Sequence, residues 1–146
     1  MGIINQIIHN KCIVVPVVLW ALVQLFKFVT DTIKNKKVNF KRLVGAGGMP
    51  SSHSAIVCAL ASCVGKEYGF DSGIFALALI FSFVVMYDAA GVRRAAGKQA
   101  RILNKVLDTP GMSTLEVQEK LIEALGHTPV QVFVGAIIGF VVGAII

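Results

Sequence analysis

Four apolar runs occupy nearly half of this 146-residue chain: Cys12–Val29, Ser54–Val64, Gly73–Val92 and Pro129–Ile146. A helix rises 1.5 Å per residue, so crossing a hydrocarbon core of about 30 Å takes about 20 apolar residues. The first, third and fourth runs come close to that length. Ser54–Val64 is shorter. It reaches span length only if the glycine-serine turn before it and residues 65–70 after it continue the helix; otherwise it is re-entrant or tilted. Four such runs in so short a chain point to an all-α fold, a multi-pass membrane helix bundle of about four spans forming one domain over residues 1–146. The hydrophobic fraction of 55% lies above the soluble range. The N-terminus has neither an early basic cluster nor a small-residue cleavage site, so the first run is expected to stay in the protein. Cys12, Cys58 and Cys63 fall inside apolar runs. They read as small buried hydrophobes without metal or disulfide spacing.

A net charge of +6 could suggest nucleic acid, but its placement speaks for a membrane instead. Lys34, Lys36, Lys37, Lys41 and Arg42 lie between the first two runs, and Arg93, Arg94, Lys98, Arg101, Lys105 and Lys120 between the last two. Only Lys11, Lys27 and Lys66 lie elsewhere. With four spans both basic segments fall on one face, which the positive-inside rule makes cytoplasmic. Both termini are then expected outside the cytoplasm, in a plasma membrane. For most of these cations topology and contact with lipid headgroups suffice as a role.

Outside the apolar runs the one sizeable segment is 93–128. Ser113-Thr-Leu-Glu116 fits a capping box, with Leu115, Leu121, Ile122 and Leu125 at helical spacing and Gly126 as a stop. Residues 99–107 form a second short amphipathic pattern, with Ile102, Leu103, Val106 and Leu107 on one face. Such helices lie along the membrane surface or cover a bundle end.

The polar turn GGMPSSHSA, residues 47–55, stands at the mouth of the second run. Gly47 and Gly48 admit positive φ and close backbone approach, Pro50 presets an early helical position, and Ser51 or Ser52 can cap. First-turn amides and the helix dipole then favour an anion there. A well-capped helix after a glycine-rich turn accounts for the same residues. Topology brings His53, Asp88, Arg93, Arg94 and His127 to one face, joined by Lys27 and Arg42. Asp88 reads equally as a brace for an arginine or as a catalytic carboxylate, and the acidic spacing of a magnesium cage is missing. Gln131 lies one helical turn beyond His127, on the same face. It also completes a T-x-x-Q capping box with Thr128, and both readings stand. Gly135, Gly139 and Gly143 form a G-x-x-x-G face suited to packing within the chain or to a homo-oligomer.

With these residues assembled, the chain resembles the type 2 phosphatidic acid phosphatase superfamily. It is closest to the small divergent branch of acid phosphatase/vanadium-dependent haloperoxidase-related membrane proteins. The matching stretches are GGMPSSHSA, YDAAGVRRAAGKQA with LN shortly after, and GHTPVQVFVGAIIG, together spanning residues 47–139. The wider superfamily carries K-x6-R-P, P-S-G-H and S-R-x5-H-x3-D elements. Pro50-Ser-Ser-His53 resembles the second, with Ser52 in place of glycine. The resemblance implies that His127 is a nucleophile forming a phosphohistidine, and that His53 protonates the leaving oxygen. It implies that Arg93 or Arg94 clamps the phosphoryl oxygens, and that the Ser51–Ser52 backbone, beside Gly48, holds phosphate. The K-x6-R-P element is missing, leaving Lys27 and Arg42 as stand-ins. The arginine and histidine of the third element lie far apart, and Gln131 stands where a carboxylate would orient the histidine. The implied activity is hydrolysis of a phosphomonoester or diphosphate, on a phosphorylated lipid or small phosphate ester, without metal or cofactor, at the cytoplasmic face. The alternative is non-enzymatic binding or translocation of phosphorylated lipid at the same site.

Overall fold

A computed structural model describes residues 2–43, 45, 47–108, 121–123 and 125–146, and the side chains at 41 and 42 are not described. The fold is an all-α bundle. A short helix α1 (Ile3–His9) precedes α2 (Lys11–Asn35), which ends where Lys36 turns left-handed. A 3₁₀ turn over Phe40–Leu43 leads toward α3 (Ser52–Tyr68), then α4 (Gly73–Ala90), α5 (Val92–Leu107) and α6 (Pro129–Ile145). Three serine or threonine caps start the later apolar helices. Ser51 accepts from the Ser54 amide, Ser72 from the Phe75 amide and Thr128 from the Gln131 amide.

The second run continues past its apolar core, through Gly65 to Tyr68, but residues 47–51 do not join the helix, which at 17 residues stays short of the expected span. The amphipathic helix of the long connection begins at Val92 rather than at residue 99, directly after the break at Gly91. Leu121, Ile122 and Leu125 are not helical, and Gly126 takes φ +78 in a turn instead of ending a helix. The capping box at Ser113–Glu116 lies outside the described residues.

The shortest apolar run supplies the centre. α3 packs against α2, α4 and α6, and Ala55, Ala59, Ala61, Ser54 and Ser62 on it are almost wholly buried. Leu19 and Val23 of α2 join Ala55 and Ala59 in the core, with Ile138 and Val142 of α6 against them. Small side chains let the helices approach closely, which is how helices associate where lipid removes the hydrophobic drive. Gly135, Gly139 and Gly143 of α6 lie over the carbonyls of Ser51, Ala55 and Ala59 of α3, so that a Cβ at any of them would collide with backbone. The G-x-x-x-G face is thus used inside the chain.

That pairing also fixes direction. Numbers rise together along α3 and α6, so the two helices run parallel and start at the same end. α2 runs opposite: Lys27, near its end, reaches Gly47 and Ser52, while Lys11, at its start, reaches the carbonyl of Ile146. α4 also opposes α3, with Ser82 donating to the Val57 carbonyl at 2.9 Å and the Ala89 carbonyl accepting from His127. Helix α2 and the run Gly73–Leu107, whose apolar part is α4, are long and apolar enough to cross a bilayer, while α6 is apolar but shorter. Leu77, Ile80, Phe83 and Val84 of α4 are all more than half exposed. A face of this kind is covered by lipid in a membrane protein.

Candidate active site

Parallel α3 and α6 bring two helix N-termini to one end of the bundle, where both dipoles favour an anion. The turn entering α3 is held from three directions. Gly47 and Gly48 sit at φ +86 and +83, which side-chain-bearing residues rarely adopt. Lys27, only 3% exposed, donates from Nζ to the Gly47 carbonyl at 3.3 Å and to Ser52 Oγ at 3.2 Å. The Ser51 amide donates to the Gln131 carbonyl at 3.1 Å, tying this turn to α6. Ser51 Oγ accepts from Ser54 Oγ at 3.0 Å. The amide and hydroxyl of Ser51 are thereby engaged within the protein. The first-turn amides of Ser52 and His53 are those that α-helical geometry leaves open.

His127 enters through a second constrained turn. A Cβ on Gly126 would meet the backbone of Arg93 and Arg94, so only glycine lets this segment lie against the start of α5. The His127 amide donates to the Ala89 carbonyl at 2.9 Å. Its ring is 2% exposed and meets His53 edge-on, with centroids 5.6 Å apart and planes at 74°. Among the described residues neither ring nitrogen of His127, nor Nδ1 of His53, has a hydrogen-bond partner. An unmet buried polar group costs about 1–3 kcal/mol, so such a cluster calls for an explanation such as a ligand or catalytic position. Burial pushes the His127 imidazole down to about 4, helped by the positive charges of His53, Lys27 and Arg93. The ring is neutral at pH 7, with a lone pair available.

The neighbouring residues divide around His127. Arg93 Nε donates to Asp88 Oδ2 at 2.5 Å across the Gly91 break, so Asp88 braces an arginine. Arg94 lines a pocket of about 360 Å³ together with Gly47, Gly48, His127, Thr128 and Gln131. Gln131 Oε1 accepts from the Thr128 amide at 2.9 Å while Thr128 Oγ1 accepts from the Gln131 amide at 3.4 Å, a complete capping box. The amide side chain therefore serves the backbone and leaves His127 without an orienting partner. Arg42 lies in the 3₁₀ turn that Gln24 holds through the Leu43 carbonyl at 2.8 Å, and its side chain is outside the described residues.

Of the residues singled out in the sequence, His53, His127, Lys27, Ser51, Ser52, Gly48, Arg93 and Arg94 all gather at this end. Sequence reasoning passed over Lys98, Arg101 and Glu123, which line the same pocket. The available signal was the spacing of Arg94, Lys98 and Arg101, which puts all three on one face of a helix.

The sequence pattern of the Divergent PAP2 family matches residues 8–142. A relative named "Uncharacterized membrane protein YuiD", from Bacillus subtilis (strain 168), is 42% identical over 127 residues, covering 80% of this chain and 80% of its own. No solved structure matches the chain.

Proposed function

The chain belongs to the divergent PAP2 family of membrane proteins, and on that premise we propose that it hydrolyses a phosphate ester, most readily a lipid phosphate, through a phosphohistidine. The observation that carries this reading is the buried, neutral, unpartnered His127 beside His53, at the meeting of two helix N-termini. A His127 ring nitrogen attacks phosphorus, the bond to the leaving oxygen breaks, and His53 in its protonated form delivers a proton to that oxygen. Water then attacks the phosphohistidine, the P–N bond breaks, and His53, now neutral, accepts a proton from that water. Lys27, Arg94 and the amides of Ser52 and His53 offset charge on the phosphoryl oxygens, with Gly48 allowing close approach. Arg93 contributes positive potential from its brace with Asp88. The basic segments at this end support a site at the cytoplasmic face of a four-span protein with both termini outside.

One observation favours a second reading, non-enzymatic binding or translocation of phosphorylated lipid: Gln131 is committed to the α6 cap, so none of the described residues fixes the His127 tautomer. Purified protein given lipid phosphates distinguishes them. Hydrolysis should be abolished by His127→Ala, and acid-labile phosphate should be trapped on His127 of the intact protein. Undiminished hydrolysis in His127→Ala would overturn the enzymatic reading. Tight phosphate-dependent lipid binding without turnover in the intact protein would establish the second.

A further inference from the structure

The pocket beside His127 is larger than one phosphoryl group needs. At about 360 Å³, and with roughly 30 Å³ for each water-sized atom, the four oxygens of one phosphate group would fill about a third of it. The wall away from the glycine turn is made by α5, where Arg94, Lys98 and Arg101 share a face. That wall is a built feature. Gly97, in the middle of the face, is buried, and a Cβ there would meet the carbonyls of Glu123 and Leu125 at 2.8 and 2.7 Å. Asn104, three per cent exposed, donates to the Leu121 carbonyl and to Glu123 Oε1, each at 2.9 Å, and accepts from the Leu121 amide at 3.0 Å. Helix α5 is thus fixed against the segment that carries His127.

Charge within the pocket is distributed unevenly. The one carboxylate among its described lining residues, Glu123, receives Asn104 and, at 3.3 Å, Arg101 Nε. Arg94 and Lys98 have no carboxylate partner among the described residues. Their charge is left facing the space next to the position where a phosphoryl group would meet His127.

Building on the hydrolase reading, we propose that the α5 wall is a second phosphoryl subsite and that the preferred substrate is a diphosphate ester. The terminal phosphoryl meets His127, and the phosphoryl attached to the organic group lies against Arg94 and Lys98. Attack by His127 breaks the bond from the terminal phosphorus to the bridging oxygen. That oxygen stays with the departing monophosphate ester, and water releases the terminal phosphoryl as inorganic phosphate. A phosphate leaving group is far less basic than an alkoxide and asks less of its proton donor and of the nucleophile. This suits a site in which no carboxylate among the described residues orients His127. Lys98 and Arg94 neutralise the charge that builds on the leaving phosphate.

The test compares alkyl diphosphate and alkyl monophosphate of one chain length, with kcat/KM measured on the purified full-length protein. Diphosphate should be preferred by at least about tenfold, and Lys98→Ala should reduce that ratio at least about fivefold. Lys34→Ala removes a cation of the same basic end that does not line this pocket, and it should leave the ratio alone. In parallel, inorganic pyrophosphate should bind at least about tenfold tighter than inorganic phosphate, with Lys98→Ala removing the gap. If neither ester turns over but that binding gap and its loss are seen, the subsite stands and the hydrolase reading falls. If both esters turn over equally, or the preference survives Lys98→Ala, the subsite is refuted while hydrolysis stands. Pyrophosphate binding no tighter than phosphate also refutes it.

Discussion

His127 is a residue whose surroundings all push one way. Burial and neighbouring positive charge lower its pKa from 6.5 to about 4, so the neutral form persists well into acid. If that neutral ring is the nucleophile, the acid limb of kcat/KM should fall near pH 4 instead of 6.5, once the substrate's own ionisation is taken out. The same shift links to stability. Between those two values the unfolded chain binds a proton that the folded one refuses, so stability should decline as pH drops through that window. Thermal unfolding at pH 7 and pH 5 checks this, and in His127→Asn the decline should be smaller. Gln131 carries the second prediction at this scale. Because its side chain completes the α6 cap, Gln131→Glu should cap alike and change turnover by less than about twofold, well short of the 10²–10⁴ that a new orienting base could give. Turnover of both forms on one substrate decides it. Gln131→Ala should instead lower stability by about 1 kcal/mol through loss of the hydrogen bond its side chain accepts from the Thr128 amide.

At the scale of elements, the seam between α3 and α6 does most to assemble the site, because it aligns the starts of both helices. A Cβ at Gly139 would come within 3.0 Å of the Ala55 backbone. Gly139→Leu should therefore cost about 1–3 kcal/mol or more by overpacking, seen as a lower unfolding temperature in detergent. The sequence made three of the spans plain, since Leu, Ile, Val and Phe dominate them. It understated α3, because a helix wrapped by other helices needs small side chains more than apolar ones, and hydropathy scores alanine and serine weakly. Residues 121–125 misled for the opposite reason. Their apolar spacing suits a helix, yet the described residues of this segment are not helical, and Leu121, Glu123 and Leu125 lie against Gly97 and Asn104 of α5 through their backbone. His53 and His127 were legible because each stands at the head of an apolar run. Lys98 was not, since its place in the pocket depends on that docking of α5.

For the molecule as a whole, the directions of four helices agree with the placement of basic residues. Lys27, the residues after Asn35, and α5 all lie at the end where α3 and α6 begin. If that end faces the cytoplasm, Lys36→Cys in cells should resist a membrane-impermeant thiol reagent added from outside, and a tag after Ile146 should be accessible there. Labelling of Lys36→Cys from outside alone would invert the protein and carry the end that holds His53 and His127 to the opposite compartment.

The central position of α3 gives this protein two different grammars of permitted change. Around Ala55 and Ala59 of α3 the packed neighbours are the helices α2 and α6, so what matters there is size, and serine should be accepted where leucine is not. Along the outer face of α4, Leu77, Ile80 and Val84 are each more than half exposed. There bulk should be free and polarity forbidden, so phenylalanine should pass where serine or aspartate fails. A library covering both helices, sorted for folded protein, would separate them by which alphabet survives: small letters of any polarity in one, greasy letters of any size in the other.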